Sequence, residues 1–192
     1  MAEIVAKTAR LLLRTEAEGD QAIWHAHMND AQVMACLGGP RTPDQIAEAF
    51  RCNADNLARH GQGYLLLERR ADGLLVGQCG LSRIDTPAAP APLRDALQIG
   101  WLLRADCWGR GYAREAAEAV RAMAFERHGA PVLYGQTSQS NPGSWRLMEK
   151  LGMTRRADLD YADPDYPPQD NPTMVYAQRR AAWRAREQEM AP

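Results

Sequence analysis

Residues 108–113 have the composition of an anion-binding turn. Gly109 and Gly111 lie between an apolar run at 97–103, which is typical of a strand, and a helical pattern that begins near Ala113. Glycine lets backbone N–H groups approach an anion without a Cβ atom in the way, and the start of the following helix carries partial positive charge. The spacing therefore predicts a phosphate or pyrophosphate site, and a purely structural turn is the competing interpretation.

Residues 141–144 form a second candidate segment, with the sequence Asn-Pro-Gly-Ser. Asn141 followed by Pro142 is typical of a helix N-cap and the first helical residue. Ser144 then falls in the first helical turn, where its hydroxyl could donate a hydrogen bond, although serine is common at helix starts for local reasons. The pattern predicts a helix that begins at Asn141 and stops at Gly152, with a hydroxyl near its start.

The spacing of the histidines and cysteines disfavours metal and thiol chemistry. His25 and His27 could suggest a metal pair, but no third ligand follows at a sensible spacing, so surface or substrate-cleft positions are the better interpretation. The four cysteines are irregularly spaced and include no Cys-x-x-Cys pair. Cys107 precedes the glycine turn but has no activating His or Lys nearby in the sequence. We therefore expect no metal site, and reduced thiols.

The composition is that of an ordinary globular protein. The chain has 192 residues, of which 45% are apolar and 24% charged, with a formal net charge of −1. This length suits one domain with a substantial core. The charge gives no support for nucleic-acid binding, no apolar run reaches the length of a membrane span, and the N-terminal residues do not resemble a secretory signal. We expect a cytoplasmic protein that binds neither nucleic acid nor membrane.

Strand and helix patterns follow one another along the chain and predict a mixed α/β or α+β sheet with helices on its faces. Strands are expected at 10–14, 64–68, 74–81, 97–103, 132–137, about 153–159 and 173–178. Helices are expected at 20–37, with Asp20 as N-cap, at 42–61, where Thr42 and Gln45 form a capping box, at 113–128 and at 141–152. The acidic stretch 158–172 is expected to be a loop, and the charged tail after Arg179 a frayed helix.

Three segments, in this order and spacing, resemble the GNAT superfamily of acetyl-CoA-dependent N-acetyltransferases, in particular the branch of ribosomal-protein serine/alanine N-acetyltransferases. They are Asn29-Asp30 with Val33-Met34 and Gly38-Gly39, Gly100-Trp101-Leu102 with 108–113 and Glu115-Ala116, and 141–144 with 147–153. The resemblance implies a single α/β (α+β) GNAT-like domain over 8–180 and a charged tail at 181–192. It also implies a mostly antiparallel sheet of six to seven strands, splayed between the strands at 97–103 and 132–137 to admit a pantetheine arm.

The resemblance further implies transfer of an acetyl group from acetyl-CoA to a primary amine by direct attack in a ternary complex. The amine would belong to a protein N-terminus or a small molecule, no metal is needed, and the enzyme could be a monomer or a homodimer. By position in the family's motifs, the cofactor-binding residues are Trp101, Leu102, Leu103, Trp108, Gly109, Arg110, Gly111, Tyr112, Ala113 and Asn141. Trp108 departs from the family pattern, in which Gln or Arg is usual, but main-chain N–H groups do most of the phosphate binding in that family.

Ser144 is the catalytic candidate by the same resemblance, as the acid that protonates the departing thiolate. Met148 occupies the position of a tyrosine that many superfamily members use for this purpose. Gln98 stands where related enzymes often have a glutamate base, so a water chain, another carboxylate or a neutral acceptor amine must serve instead. The candidate carboxylates, chosen by loop position only, are Asp85, Asp160 and Asp163. An α-amine, with a pKa near about 8, needs less help than a lysine amine near about 10.4.

Two other functions stay open at the level of the sequence. Because Gln98 and Met148 replace two common proton-handling residues, a non-catalytic acyl-CoA-binding or regulatory module of the same fold is the main alternative. A nucleotide-dependent enzyme is disfavoured, because the sequence contains neither a Gly-x-x-x-x-Gly-Lys-Ser/Thr loop nor Gly-x-Gly-x-x-Gly. The sequence does not identify the acceptor amine, since fold alone does not fix function.

Overall fold

Eight strands and five α-helices account for most of residues 2–190, the part of the chain that the computed structural model describes. The strands are β1 (Ile4–Lys7), β2 (Leu11–Arg14), β3 (Tyr64–Arg69), β4 (Leu75–Arg83), β5 (Leu97–Leu103), β6 (Val132–Thr137), β7 (Thr154–Arg155) and β8 (Met174–Arg179). The helices are α1 (Asp20–Met28), α2 (Pro43–His60), α3 (Tyr112–Glu126), α4 (Pro142–Lys150) and α5 (Arg180–Met190). The mixed α/β class expected from the sequence is confirmed.

The strands form one sheet in the order β1-β2-β3-β4-β5-β6-β8-β7. Strands β5 and β6 run parallel and pair at Gln98 and Tyr134, while β8 pairs antiparallel with both β6 and β7. The expected count of six to seven strands was wrong, because β1 is an additional strand. It has four residues and no buried side chain, so hydrophobic alternation does not reveal it, and it is held by antiparallel pairing with β2.

The chain divides into two compact units by the density of its internal contacts. One unit comprises the chain up to Ser82 together with Gly100–Val120, and the other comprises Arg83–Ile99 together with the chain from Arg121 onward. The first unit has a core in which α1 and α2 contribute apolar side chains that pack with residues of β3, β4 and β5. Its buried members are Trp24, Met28, Val33, Met34, Ile46, Leu66, Leu75 and Leu102.

Helix α1 differs from the sequence-based expectation at both ends. Gly19, with a φ of 90°, precedes it and makes no side-chain cap, so Asp20 is not the N-cap but the first helical residue. The Asp20 carboxylate instead accepts two hydrogen bonds from the Arg14 guanidinium and one from the backbone N–H of Ala17. The helix stops at Met28 rather than near residue 37, because Asp30 accepts backbone N–H bonds that favour a turn.

Helices α2 and α4 begin where local chemistry predicts. The Thr42 hydroxyl accepts from the backbone N–H of Gln45, and the Gln45 side chain accepts from the backbone N–H of Thr42, which completes the expected capping box. Asn141 caps α4 by accepting from the backbone N–H of Ser144 at 3.2 Å. Because both caps involve residues three apart, they could be read directly from the sequence.

Helix α5 forms part of the second unit's apolar packing. Trp183 is 6% exposed, and its ring stacks on that of Phe125 with a centroid separation of 5.1 Å. A second group of buried side chains in this unit comprises Ile84, Ala89, Leu93, Leu159 and Val175. Of the predicted tail at 181–192, residues 181–190 are therefore helical, and 191–192 lie outside the described residues.

We expect Trp183→Ala to lower the free energy of unfolding by about 3 kcal/mol or more, because truncating a buried tryptophan leaves a cavity. Urea denaturation measures the change. Arg184→Ala is the matched control, since Arg184 is the adjacent, exposed residue of the same helix and its loss should change stability little. Equal stability of the two variants would mean that α5 contributes nothing to the core.

Candidate active site

The turn at 108–113 has the backbone conformation that its glycines predict. Gly109 and Gly111 have φ values of 71° and 79°, in the left-handed region that residues with a Cβ rarely adopt. Gly109, Arg110 and Gly111 are exposed, and α3 begins immediately afterwards at Tyr112. A Cβ atom on Gly111 would lie 3.3 Å from a guanidinium nitrogen of Arg10. The turn therefore presents backbone at the N-terminal end of a helix, as an anion site requires.

Arg10, which lies in the turn between β1 and β2, braces the turn at 108–113. Its guanidinium donates to the carbonyl oxygen of Arg110 at 2.9 Å and to the Glu115 carboxylate at 2.6 Å. The same guanidinium lies over the ring of Tyr112, 4.6 Å from the centroid. These contacts fix the peptide between the two glycines, so the turn is held in shape from outside. The sequence analysis missed this role, because Arg10 and Arg110 are far apart in the chain.

Glu115 holds Arg10 in this position, and these two residues together are called the Arg10 brace. Glu115 also accepts from the Thr8 hydroxyl at 2.6 Å and from the backbone N–H of Arg10 at 2.7 Å. Burial by itself raises the pKa of the Glu115 carboxyl, but the bonds from Thr8 and Arg10 outweigh it and hold the pKa below its ordinary value. The carboxylate is therefore ionised at neutral pH and joins the turn between β1 and β2 to the first turn of α3.

A cavity of about 400 Å³ lies beside the brace in the same unit. Its lining is dominated by cationic and aromatic groups and consists of Ala9, Arg10, Arg69, Arg70, Ala71 and Tyr112. Arg69 is paired with Asp72, and Arg70 donates to the carbonyl oxygens of Thr8 and Ala9. The positive charge in this region is thus partly neutralised by Asp72, and Arg70 is bound to the backbone that directly precedes Arg10.

The strand before the turn is packed tightly. Leu102 and Leu103 are buried and Trp101 is partly buried. A Cβ atom on Gly77 would collide with the backbone of Leu102 and Leu103, so the glycine allows close approach to that strand. Trp108, which is 46% exposed, donates from Nε1 to the Leu103 carbonyl oxygen at 2.8 Å. That contact gives Trp108 a structural role in closing the segment between β5 and the turn.

Ser144 occupies the first turn of α4 in the second unit. Its backbone N–H is taken up by the Asn141 cap, and within residues 2–190 its hydroxyl has no hydrogen-bond partner. Met148, one turn later, is 2% exposed, and its sulfur would lie 3.1 Å from a Cβ atom on Gly135. Met148 is thus a packing residue against β6, whereas Ser144, four residues earlier on the same helix, carries a hydroxyl.

The three carboxylates named as possible bases differ in availability. Asp160 forms an ion pair with Arg155 and also accepts from the backbone N–H of Val175. Asp163 is 6% exposed and accepts from the backbone N–H of Asp165, while Asp85 is exposed. The structure shows a further buried carboxylate that the sequence analysis missed, that of Asp170, which bonds to two serines of the loop before α4.

Neither metal nor thiol chemistry gains support from the described residues. His25 and His27 are exposed on α1, and no group of three or more potential ligands lies close enough to hold a metal within residues 2–190. Cys107 is 2% exposed, and burial raises the pKa of its thiol. A buried, protonated thiol is a poor nucleophile, so Cys107 has the character of a core residue.

The predicted site residues fall into two groups. Trp101 to Leu103 and the turn at 108–113 belong to the first unit, where the bond from Trp108 to the Leu103 carbonyl oxygen connects β5 to the turn. Asn141 and Ser144 belong to the second unit, where one caps the helix that carries the other. Each group is ordered by its own hydrogen bonds, and the assignment of both to one cofactor stays a prediction.

Comparison with known proteins gives a consistent result. Residues 10–154 match the acetyltransferase (GNAT) domain. The chain is similar to the acetyltransferase from Agrobacterium tumefaciens str. C58, with 30% identity and a TM-score of 0.72 over 91% of this chain and 93% of that one. It is 29% identical to the FsC-acetyl coenzyme A-N(2)-transacetylase of Aspergillus fumigatus over 126 residues, which are 65% of this chain and 53% of that protein.

A third comparison concerns the fold alone. The ribosomal L7/L12 alpha-N-protein acetyltransferase RimL, in complex with coenzyme A, superposes with a TM-score of 0.74 at 18% identity, covering 94% of this chain and 99% of that one.

In residues 2–190, no helix combines the length and the apolar character needed to cross a membrane.

We expect Glu115→Gln to lower the free energy of unfolding by about 2 kcal/mol at pH 7, because it weakens hydrogen bonds to a charged group. A carboxyl whose pKa is depressed by folding stabilises the folded state above its unfolded pKa of about 4.3, and this contribution is lost as the pH falls through the folded value. The difference in the free energy of unfolding between variant and wild type, measured by urea denaturation, should therefore shrink as the pH falls from 7 to 3.

Glu118→Gln is the control for this experiment. Glu118 pairs with Arg114 on the exposed face of the same helix, and such surface pairs contribute little to stability. A Glu115→Gln variant whose deficit is independent of pH would contradict the ionised brace.

Proposed function

Because the chain belongs to the GNAT acetyltransferase family, whose members use acetyl-CoA as co-substrate, we propose that it acetylates a primary amine by direct attack in a ternary complex. The observation that carries the proposal is the Gly109–Gly111 turn, held open at a helix start by Arg10 and Glu115. When bound, acetyl-CoA supplies an activated thioester carbonyl. The protein's part is to hold it, orient the amine and move protons.

The residues of the turn fit a pyrophosphate. A side chain at either glycine would require a strained left-handed backbone, and one at Gly111 would also crowd Arg10. We assign the main-chain N–H groups of Gly109, Arg110, Gly111, Tyr112 and Ala113 to the phosphates. The N–H of Trp108 donates to the carbonyl oxygen of Ala105 at 3.2 Å, so Trp108 would contact the cofactor in another way, as its position in the family's motif implies. Trp101, Leu102 and Leu103 would pair with the pantetheine arm along β5, and Asn141 would contact the cofactor from the start of α4. The splay between β5 and β6 that admits this arm remains a prediction from the family.

Ser144 is assigned as the acid that protonates the departing sulfur. Its hydroxyl has no other partner among the described residues, so its proton is not committed elsewhere. Met148 cannot serve, because it carries no acidic proton and fills space against β6. The family role, the free hydroxyl and the fixed position in a capped helical turn together support Ser144.

The acceptor class is narrowed by acid–base chemistry. Gln98 cannot accept a proton, so an acceptor that arrives mostly neutral needs the least assistance, and an α-amine near pKa 8 meets this condition better than a lysine amine near about 10.4. RimL, to which the fold is similar, is a ribosomal alpha-N-protein acetyltransferase. We therefore favour an α-amine, such as a protein N-terminus or an amino acid, over a polyamine.

A non-catalytic acyl-CoA-binding module is the second candidate. Gln98 and Met148 favour it, because each replaces a residue that handles protons in many related enzymes. The two functions separate in a thiol-release assay with acetyl-CoA over a serine-initiated peptide, glycine, spermidine and kanamycin. Release with any amine supports the transferase, whereas binding without release supports the module.

We expect acetyl-CoA to bind in a calorimetric titration in which ATP and NAD give no comparable heat. Arg10→Ala should weaken acetyl-CoA binding about tenfold, because loss of the bond to the Arg110 carbonyl frees the turn and ordering it costs free energy on binding. Arg51→Ala, which removes an exposed arginine on α2, is the control. Undiminished affinity of a folded Arg10→Ala variant would contradict the bracing role.

Ser144→Ala should lower turnover about 100-fold and leave the dissociation constant for acetyl-CoA unchanged, because a general acid acts in the reaction step and not in binding. Steady-state thiol release and calorimetry measure the two quantities. Ser82→Ala, on β4, is the matched serine control. Unchanged turnover of Ser144→Ala would remove the proposed role.

A further inference from the structure

Asp170 is a carboxylate buried without a cation. It is 4% exposed, and within residues 2–190 no lysine, arginine or histidine forms an ion pair with it. One carboxylate oxygen, Oδ2, is buried and has no hydrogen-bond partner among these residues. A buried charge that is neither paired nor fully hydrogen-bonded is costly, and proteins tend to keep such groups where they serve a function.

The other oxygen of Asp170 joins a chain of hydroxyl groups. Oδ1 accepts from Ser140 Oγ at 2.5 Å, and Ser140 Oγ lies 2.7 Å from Ser138 Oγ. Ser138 is 6% exposed and lies 3.4 Å from the same carboxylate oxygen, whereas Ser140 is exposed. The carboxylate is thus hydrogen-bonded to a residue that is exposed to solvent, Ser140.

Asp170 is held rigidly in this position. Asn171, the next residue, donates to the carbonyl oxygens of Asp163, Tyr166 and Pro167 and accepts from the backbone N–H of Asp163 at 2.8 Å. These bonds close the 163–171 loop on itself. The Asp170 carboxylate therefore contacts Ser138 and Ser140 from a loop that is closed by hydrogen bonds.

The location of Ser140 links this group to the proposed reaction. Ser140 directly precedes Asn141, the cap of the helix that carries Ser144. Asp160 and Asp163, two other carboxylates of this region, are committed to Arg155 and to backbone N–H groups. Among the described carboxylates of the 158–172 stretch, Asp170 combines burial with direct contact to an exposed hydroxyl next to the candidate site.

We propose that Ser140 and Asp170 form a proton relay that deprotonates the acceptor amine, the role for which Gln98 is unsuited. The inference rests on the proposed function. Ser140 touches the acceptor and is the catalytic member, and Asp170 acts through it.

Two protons and one acetyl group move in the reaction. The acceptor ammonium gives one proton to Ser140 Oγ while the Ser140 proton moves to Asp170, and the freed lone pair attacks the acetyl carbonyl carbon. A C–N bond forms and the C–S bond breaks. Ser144 gives its proton to the departing sulfur and regains one from the new amide nitrogen. Asp170 then returns its proton to solvent through Ser140.

The test compares thiol release by wild type, Asp170→Asn, Ser140→Ala and Ser140→Thr, with the best acceptor among a serine-initiated peptide, glycine, spermidine and kanamycin. About two pH units below the acceptor's pKa, we expect Asp170→Asn to lose about 100-fold in kcat, and Ser140→Ala about tenfold or more, with acetyl-CoA affinity unchanged. Above that pKa, where the amine is already neutral, both losses should shrink to about threefold or less. Ser140→Thr keeps a hydroxyl and should retain activity.

Asp165→Asn and Gln139→Ala are the controls, since both residues are exposed neighbours in the two segments. Thermal melting verifies that the buried Asp170→Asn variant folds, and Ser140→Ala tests the relay at an exposed position even if it does not. A deficit that is the same at every pH would show a merely structural role and overturn the relay. Full activity of both variants would overturn it as well.

The failure of the relay can be distinguished from the failure of the proposed function. Wild-type protein that releases no thiol with any of the four amines removes both. If wild-type protein releases thiol and the variants have the same kcat as wild type at all pH values, the relay alone is removed.

Discussion

The carboxylate of Glu115 connects the turn between β1 and β2 to the first turn of α3, and the shape of the candidate phosphate turn depends on it. Through Arg10, this one group fixes the carbonyl of Arg110, between two glycines that have no side chains to hold them. Glycine gives the turn its left-handed backbone but also the largest conformational freedom to lose. The ionic brace supplies from another part of the chain the order that the turn's own residues lack.

A similar arrangement is seen in the second unit, where polar groups and not apolar packing define the candidate chemistry. Asn141 caps α4 and orients Ser144, and Asn171 closes the loop that presents Asp170. In both cases an asparagine bonds to the backbone, and a neighbouring residue keeps its reactive side chain in a fixed place. Function on such segments requires this support, because loops have few apolar contacts to hold them.

Features that depend on residues close in sequence could be predicted, and features that depend on distant partners could not. The Thr42–Gln45 capping box, the Asn141 cap and the conformations of Gly109 and Gly111 follow from local chemistry, and the structure confirms them. Asp20 was misassigned as an N-cap because its carboxylate binds Arg14, which lies on the preceding strand. The helical pattern of α1 gives no sign of that contact. The contact of Ser140 with Asp170 spans thirty positions of the chain, and no spacing rule points to it.

Strand β8 lies between β6 and β7, although it follows both in the chain. During synthesis, neither neighbour can complete its hydrogen bonding until Met174–Arg179 has left the ribosome. Pairing between segments so far apart also requires closing a long loop, which slows folding. The unit that carries Ser144 is therefore assembled late, and until then β6 has an open edge at which another chain could pair.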